Sequence, residues 1–295
     1  MQTENSLAEG LAYLTPEAID HFITEALRED VGPGDYSTLS SIPADSENSA
    51  VLKVKDEGIL AGMKLAELIF KKVDAGLAFS PMLKDGDAVK KGDEAFIVSG
   101  SARSILTAER LVLNCMQRMS GVATKTRMFS DKIKGTKACI LDTRKTSPNS
   151  RIIEKWAVAI GGGRNHRFAL YDMIMLKDNH IDYAGGITKA LKAARHFLLE
   201  HGLDLKIEIE TRNLEEVKEV LDTGLADIIM LDNFGLDAMR EAVSVIKGKI
   251  PTEASGNVNL DTVFDIAQTG VDFISVGSLT YSYKSLDLSL KALKS

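Results

Sequence analysis

LKIEIE (205–210), ADIIMLD (226–232), PTEASG (251–256) and VDFISVG (271–277) share one design. Each is a short strand-like run that closes on a polar residue or a glycine: Glu210, Asp232, Ser255-Gly256 and Gly277. These ends are separated by 22, 23 and 22 residues, and amphipathic stretches fill the gaps. One strand, one helix and two short connections fit that length. Two earlier runs follow the same plan, Ala138–Leu141 before Asp142-Thr143-Arg144 and Met173–Leu176 before Lys177. Repeated strand–helix units predict a parallel sheet. This many in succession favour closure into a barrel, whose strand C-terminal ends carry the chemistry.

The first 120 residues read differently. Thr15-Pro16-Glu17-Ala18 is a helix start, with Ile19, Phe22 and Ile23 on one face as far as about Glu29. Val51–Lys55 alternates and Ala95–Val98 is a short apolar run, with turn signals at Lys84-Asp85-Gly86-Asp87 and Lys91-Gly92-Asp93. Helices fit Met63–Val73 and Ser104 to about Met119. This texture predicts an α+β domain ahead of the strand–helix repeats.

Composition excludes several classes. The chain has 295 residues, 44% hydrophobic and 26% charged, which is ordinary for a folded globular protein. It contains no apolar run long enough to cross a membrane. Met1–Tyr13 is polar and acidic and lacks the order of a secretion signal, and its first ten or so residues read as a loose end. Cys115 and Cys139 stand in no metal or redox spacing and read as apolar residues. A cytoplasmic location is expected. The net charge of −6 argues against a nucleic-acid partner, which needs a broad basic footprint.

Against that acidic background the segment from Leu141 to Ile181, LDTRKTSPNSRIIEKWAVAIGGGRNHRFALYDMIMLKDNHI, is rich in cations. Arg144 and Lys145 follow one strand, His166 and Arg167 follow the Gly161-Gly162-Gly163 turn, and Lys177 ends the next strand. Arginine forks bind carboxylate or phosphate in two-point fashion, while lysine supplies a compact charge. The expected ligand is therefore anionic at more than one place. Glu210 and Asp232 end later strands on the same face, where they can hold a ribose diol, coordinate Mg²⁺ through water or stabilise developing positive charge. Ser255-Gly256-Asn257 and Val276-Gly277-Ser278 are short loops of the kind that cradle phosphate in such barrels. There is no G-x-G-x-x-G, Walker A, G-x-S-x-G or HExxH sequence. His21, His196 and His201 fall on expected helices and read as surface or packing residues.

Asp142-Thr143-Arg144-Lys145-Thr146, Gly161-Gly162-Gly163 with Asn165-His166-Arg167, and Lys177-Asp178-Asn179-His180 resemble the quinolinate phosphoribosyltransferase family. Glu109-Arg110, Ser120–Thr124, Leu231–Phe234 and Glu253–Gly256 extend the resemblance in order over nearly the whole chain. It implies an α/β protein: an N-terminal α+β sandwich over residues 1–124 and an incomplete (β/α) TIM-like barrel over 125–280. A C-terminal helix within 281–295 would return to the first domain. The resemblance also implies homodimers with shared active sites, in some members assembled into hexamers, and Mg²⁺ carried by phosphoribosyl pyrophosphate (PRPP), with no direct protein ligand to the metal. By matched position Arg110 enters the neighbouring subunit's site, and Arg144, Arg167, Lys177 and His166 surround the quinolinate carboxylates. Lys145 with the Ser255 and Gly277 loops meets PRPP, and Glu210 and Asp232 lie by its ribose. Asn149 and Ala169 replace glycines common in the family, and Tyr281 stands where some members have a histidine near the phosphate.

Lys145, Lys177, Glu210 and Asp232 are the expected catalytic residues of a decarboxylating phosphoribosyl transfer. Two rivals share the barrel: a molybdenum-transport-associated paralogue and an aldolase forming a Schiff base on Lys177 or Lys145. Quinolinate turnover separates the first, and borohydride trapping with a carbonyl substrate the second.

Overall fold

The computed structural model describes residues 11–293, so the expected loose end over the first ten residues lies outside the described residues. The chain divides into two compact units. Among the described residues, one comprises those up to 127, 146–162 and those from 280 on, and the other 128–145 and 163–279. No described helix is long and apolar enough to cross a membrane.

The first unit begins with α1 (Pro16–Val31), where the Thr15 hydroxyl accepts from the Ala18 amide at 3.1 Å and Pro16 occupies the first turn. α2 (Tyr36–Ser41) follows, capped by Asp35. Four strands, β1 (Glu47–Val54), β2 (Gly58–Ile59), β3 (Ala78–Pro81) and β4 (Ala88–Val89), are interrupted by α3 (Met63–Val73). β5 (Glu94–Ser101) runs into α4 (Ala102–Lys132). The apolar face of α3 buries Leu65, Ala66, Ile69 and Phe70, and the Phe70 ring meets Phe96 of β5 edge-on at 5.9 Å. Fully burying side chains of this size is worth about 1.5–3 kcal/mol each.

α4 continues well past Met119, where the sequence suggested an end. Ser120-Gly121 looks like a breaker, yet each residue there has a partner that needs it. The Ser120 hydroxyl accepts from the Ala61 amide at 2.9 Å and that of Thr124 from the Ile59 amide at 2.8 Å. A Cβ on Gly121 would collide with the Lys284 carbonyl.

In the second unit, β6 (Cys139–Leu141) precedes α5 (Arg151–Ile160), which itself belongs to the first unit. Asn149, ahead of α5, has φ 60°, a left-handed conformation that glycine or asparagine adopts at low cost. This accounts for asparagine at a position where glycine is common. Then come β7 (Ile174–Leu176), α6 (Asp178–Ala184), α7 (Ile187–His201), β8 (Ile207–Thr211), α8 (Leu214–Thr223), β9 (Ile228–Asp232), α9 (Leu236–Ile246), β10 (Thr252–Ser255), α10 (Val263–Gln268) and β11 (Phe273–Ser275). Six parallel strands form one sheet in the order β6-β11-β10-β9-β8-β7. Every strand-like run expected in this half is present. β6 and β7 are the sheet's edges, as an incomplete barrel requires, and Leu141 is bridged to Arg164 in parallel.

The C-terminal segment differs from expectation in one respect. After α11 (Ser278–Tyr281) it does return to the first unit, but as strand β12 (Leu288–Ala292) rather than as a helix. β12 pairs antiparallel with β1, placing Leu290 opposite Leu52 in the sheet β12-β1-β5-β3. Leu288 and Leu290 are buried and Ser289 is half-buried. That two-residue alternation fits one covered sheet face, and no helix of so few residues could bury both leucines.

Candidate active site

The strand ends of the second unit gather the residues singled out in the sequence. At the end of β6 the buried Asp142 carboxylate accepts from Asn165 Nδ2 at 2.6 Å and from the His166 amide at 2.9 Å. This aspartate ties the Thr143-Arg144-Lys145 turn to the Asn165-His166-Arg167 loop. The Lys145 amide donates to Thr143 Oγ1 at 3.0 Å, and the Lys145 side chain is exposed. Arg144 is half-buried, with an Nε that meets no hydrogen-bond partner among the described residues. A buried guanidinium nitrogen without a partner is costly, and an anionic ligand would relieve it.

Arg167 donates to the Met173 carbonyl at 3.2 Å. Burial and the neighbouring Arg144 charge hold its guanidinium below the usual value, against the pull of Glu208, Asp172 and Glu210. Two arginines that repel each other within one site mark a place for negative charge.

Lys177 ends β7 and reaches Glu210 at the end of β8 in a close ion pair. The second Glu210 oxygen accepts from the Asp178 amide at 3.1 Å. Both oxygens of this carboxylate are engaged. His180 accepts from the Lys177 amide at 3.0 Å and so caps α6.

The next two strand ends are locked together. Asp232 accepts from Asn233 Nδ2 at 2.8 Å. Asn233 in turn donates its amide to the Ser255 carbonyl at 2.9 Å and accepts from Asn257 Nδ2 at 3.2 Å. Gly256 has φ +97°, and a Cβ there would sit on the Asn233 side-chain oxygen. Gly256→Ala is therefore expected to cost about 1–3 kcal/mol, read as a Tm lowered by several degrees in a thermal melt. At the end of β11 the Val276 amide donates to the Leu141 carbonyl at 2.9 Å, closing β11 onto β6 ahead of Gly277 and Ser278. Tyr281 is exposed.

Arg110 lies on α4 in the first unit, exposed beside buried Leu111, Val112 and Leu113. Cys115 is buried and its thiol is pushed up to about 12 by burial, while Cys139 is half-buried; both are free. His201 stacks on Phe197 at 4.1 Å, and His21 and His196 are exposed.

Asn233 organises two loops, yet as a site residue it was invisible in the sequence beyond its place in a recurring motif. Glu208 and Glu253, fully buried on β8 and β10, were missed as well. A signal existed: parallel strands are usually apolar on both faces, whereas β8 reads Ile-Glu-Ile-Glu-Thr.

An open parallel barrel whose rim gathers two arginines and two lysines beside two carboxylates is a site for small polyanions, of the kind phosphoribosyl-transferring barrels use. Comparison with known proteins is consistent with this. Residues 35–120 match the model of the quinolinate phosphoribosyl transferase N-terminal domain, and residues 122–291 that of its C-terminal domain. The chain belongs to the quinolinate phosphoribosyltransferase family. The chloroplastic nicotinate-nucleotide pyrophosphorylase [carboxylating] of Arabidopsis thaliana is 50% identical over 90% of this chain and 80% of its own length. A mitochondrial quinolinate phosphoribosyltransferase [decarboxylating] of Nicotiana tabacum is 47% identical over 98% of this chain and 87% of its own. The nicotinate-nucleotide pyrophosphorylase structure from Francisella tularensis superposes with a TM-score of 0.87 at 38% identity, covering 94% of this chain and 96% of that one.

Proposed function

We propose that the chain transfers the phosphoribosyl group of PRPP to the nitrogen of quinolinate and releases the 2-carboxylate, giving nicotinate mononucleotide, pyrophosphate and CO₂. The observation that carries this reading is the meeting of Arg144, Arg167 and Lys177 with Glu210 at the C-terminal ends of the strands. A dicarboxylate needs two or more cations at fixed positions. A ribosyl cation needs a carboxylate opposite them.

Arg144, Arg167 and Lys177 hold the quinolinate carboxylates, with His166 beside them. Lys145, Thr143 and the loops Ser255-Gly256-Asn257 and Val276-Gly277-Ser278 receive PRPP. As the pyridine nitrogen attacks C1 of the ribose and pyrophosphate leaves, positive charge grows on the ribose ring. Glu210 and Asp232 stabilise it, while Lys145 offsets the charge of the departing pyrophosphate. Glu210 and Asp232 would lie near Mg²⁺ carried by PRPP, and the ion would supply charge neutralisation for the leaving pyrophosphate. Loss of CO₂ leaves the electron pair of the broken bond on C2, stabilised by the adjacent pyridinium nitrogen. C2 then takes up a proton from water, so no nucleophilic side chain is needed. Holding two polyanions together is much of the catalysis.

We infer a homodimer in which Arg110 completes the partner's site, with further assembly to a hexamer open to the same contacts. We place the protein in the cytoplasm, where two free thiols persist reduced.

Two measurements test this reading. Nicotinate lacks the 2-carboxylate and is expected to compete with quinolinate at least about tenfold more weakly, the equivalent of roughly 1.4 kcal/mol. Equal competition would remove the two-carboxylate site. Glu210→Gln combined with Asp232→Asn is expected to lower kcat more than it weakens quinolinate binding, because both act on charge that appears in the transition state. A change confined to quinolinate affinity would place these carboxylates at the other substrate.

A further inference from the structure

Below the rim, inside the six-stranded sheet, lie two carboxylates that the proposed reaction does not use, Glu208 and Glu253, together with the inner side of His166. His166, Glu208 and Glu253 each bring one polar atom within 4.8 Å of the others. Glu208 and Glu253 are wholly buried, and the His166 side chain nearly so. Two ionised carboxylates side by side in such a place would be strongly unfavourable.

The hydrogen bonds specify how the cluster avoids this. The Arg167 amide donates to His166 Nδ1 at 2.8 Å, so that nitrogen carries no proton. The ring hydrogen is therefore on Nε2, where Glu208 Oε2 accepts it at 2.7 Å. A nitrogen that already carries a proton cannot ligate a metal ion, which argues against reading the three groups as a cation site. On the other side the Ser275 hydroxyl donates to Glu253 Oε1 in a close contact. Two buried oxygens are left over, Glu208 Oε1 and Glu253 Oε2; neither has a hydrogen-bond donor among the described residues, His166 Nε2 standing off the second at 3.5 Å. A single proton placed between them satisfies both.

We propose that Glu208 and Glu253 hold one proton between them and, through His166, act as positioning residues for Arg167. The chain Ser275–Glu253–Glu208–His166–Arg167 then has a donor and an acceptor at every joint. It fixes the imidazole and the start of the loop that carries the Arg167 guanidinium. Burial first, and then the Glu208 charge, push the Glu253 carboxyl well above the usual carboxylate range, as a retained proton requires. The charged groups around the pair are His166, Lys177 at the end of β7, Arg167, and Glu210 two residues along β8. Neighbouring β9 contributes Met230, opposite Glu253, and β11 the neutral Ser275. The role of Arg167 in holding quinolinate rests on the function proposed above, whereas the shared proton does not.

The test compares the wild-type protein with Glu253→Gln, Glu253→Ala and Glu208→Ala. Glutamine reproduces the protonated acid, donating to Glu208 and accepting from Ser275. The infrared spectrum at neutral pH should contain a carboxylic-acid C=O band above the amide band that is absent from Glu253→Gln. The folded-state pKa of Glu253 is raised, so its contribution to stability holds at lower pH and is lost as pH rises through its ionisation. Glu253→Gln should lack that alkaline loss. The alanine variants should raise the quinolinate KM by on the order of tenfold with the PRPP KM unchanged, and Glu253→Gln should restore the wild-type value. Should the alanine variants fail to fold, the infrared and pH comparisons of the wild type with Glu253→Gln decide the matter alone.

Identical infrared spectra for wild type and Glu253→Gln would overturn the proposal. So would a Glu253→Gln variant as impaired as Glu253→Ala, or one metal ion per chain that Glu253→Gln loses. Wild-type protein inactive on quinolinate but showing the band would overturn the proposed reaction and uphold the shared proton.

Discussion

Lys177→Ala is expected to lower turnover by about two to three orders of magnitude, the loss seen when one preorganised charge is removed from a transition-state site. Lys177 meets Glu210 at the rim, between the expected positions of the quinolinate carboxylates and the ribose. Its removal takes a cation from one substrate and leaves Glu210 without its partner beside the other. Lys145→Ala should fall by a similar factor, through loss of charge at the pyrophosphate. Both side chains are substantially exposed, so neither change should disturb folding. A partly exposed ion pair contributes at most about 1 kcal/mol to stability, and Tm should move by no more than a few degrees. Steady-state kinetics with a parallel thermal melt checks both halves. Wild-type rates in either variant would remove the anion-cluster argument.

The second large effect concerns Arg110. On its own chain it is an exposed arginine on α4, and nothing local distinguishes it from any other surface cation. If it completes the partner's site, Arg110→Ala and Lys177→Ala should each be inactive as separate homodimers. Mixed and allowed to exchange subunits, they should regain activity, because one site of a mixed dimer holds both intact residues. With random pairing about half the dimers are mixed and each has one good site, so recovery should approach about a quarter of wild type for a closed two-fold dimer. No recovery, with exchange demonstrated by a size or label shift, would mean that Arg110 acts within its own chain or not at all.

How much of this was legible depends on where the physical signal lay. The six parallel strands were readable because each short run stops at a polar residue, and the 22- and 23-residue steps repeat. The rim cations and carboxylates followed directly, since Arg144, Lys177, Glu210 and Asp232 all stand at or just beyond the C-terminal ends of their strands. β12 was not read as a strand, because a five-residue alternation near a chain end is too brief to outweigh an expected helix. The full length of α4 was hidden because Ser120-Gly121 has the composition of a break. Only the Ala61 amide and the Lys284 carbonyl, both distant in sequence, reveal why those residues belong inside a helix. The interior carboxylates were overlooked because attention to Glu210 and Ser255 at the rim passed over the residues two places earlier on the same strands. Glu208 and Glu253 carry no motif of their own; their meaning depends on β8 and β10 facing a common interior.

The most direct test of the whole account is a product balance. Wild-type protein is incubated with PRPP, Mg²⁺ and quinolinate labelled in the 2-carboxylate, and nicotinate mononucleotide, pyrophosphate and released CO₂ are quantified together. The account predicts all three in equal amounts, with the label in CO₂ and no product when quinolinate is omitted. Pyrophosphate release without CO₂, or no nucleotide from quinolinate under conditions where the folded protein is intact, would contradict it.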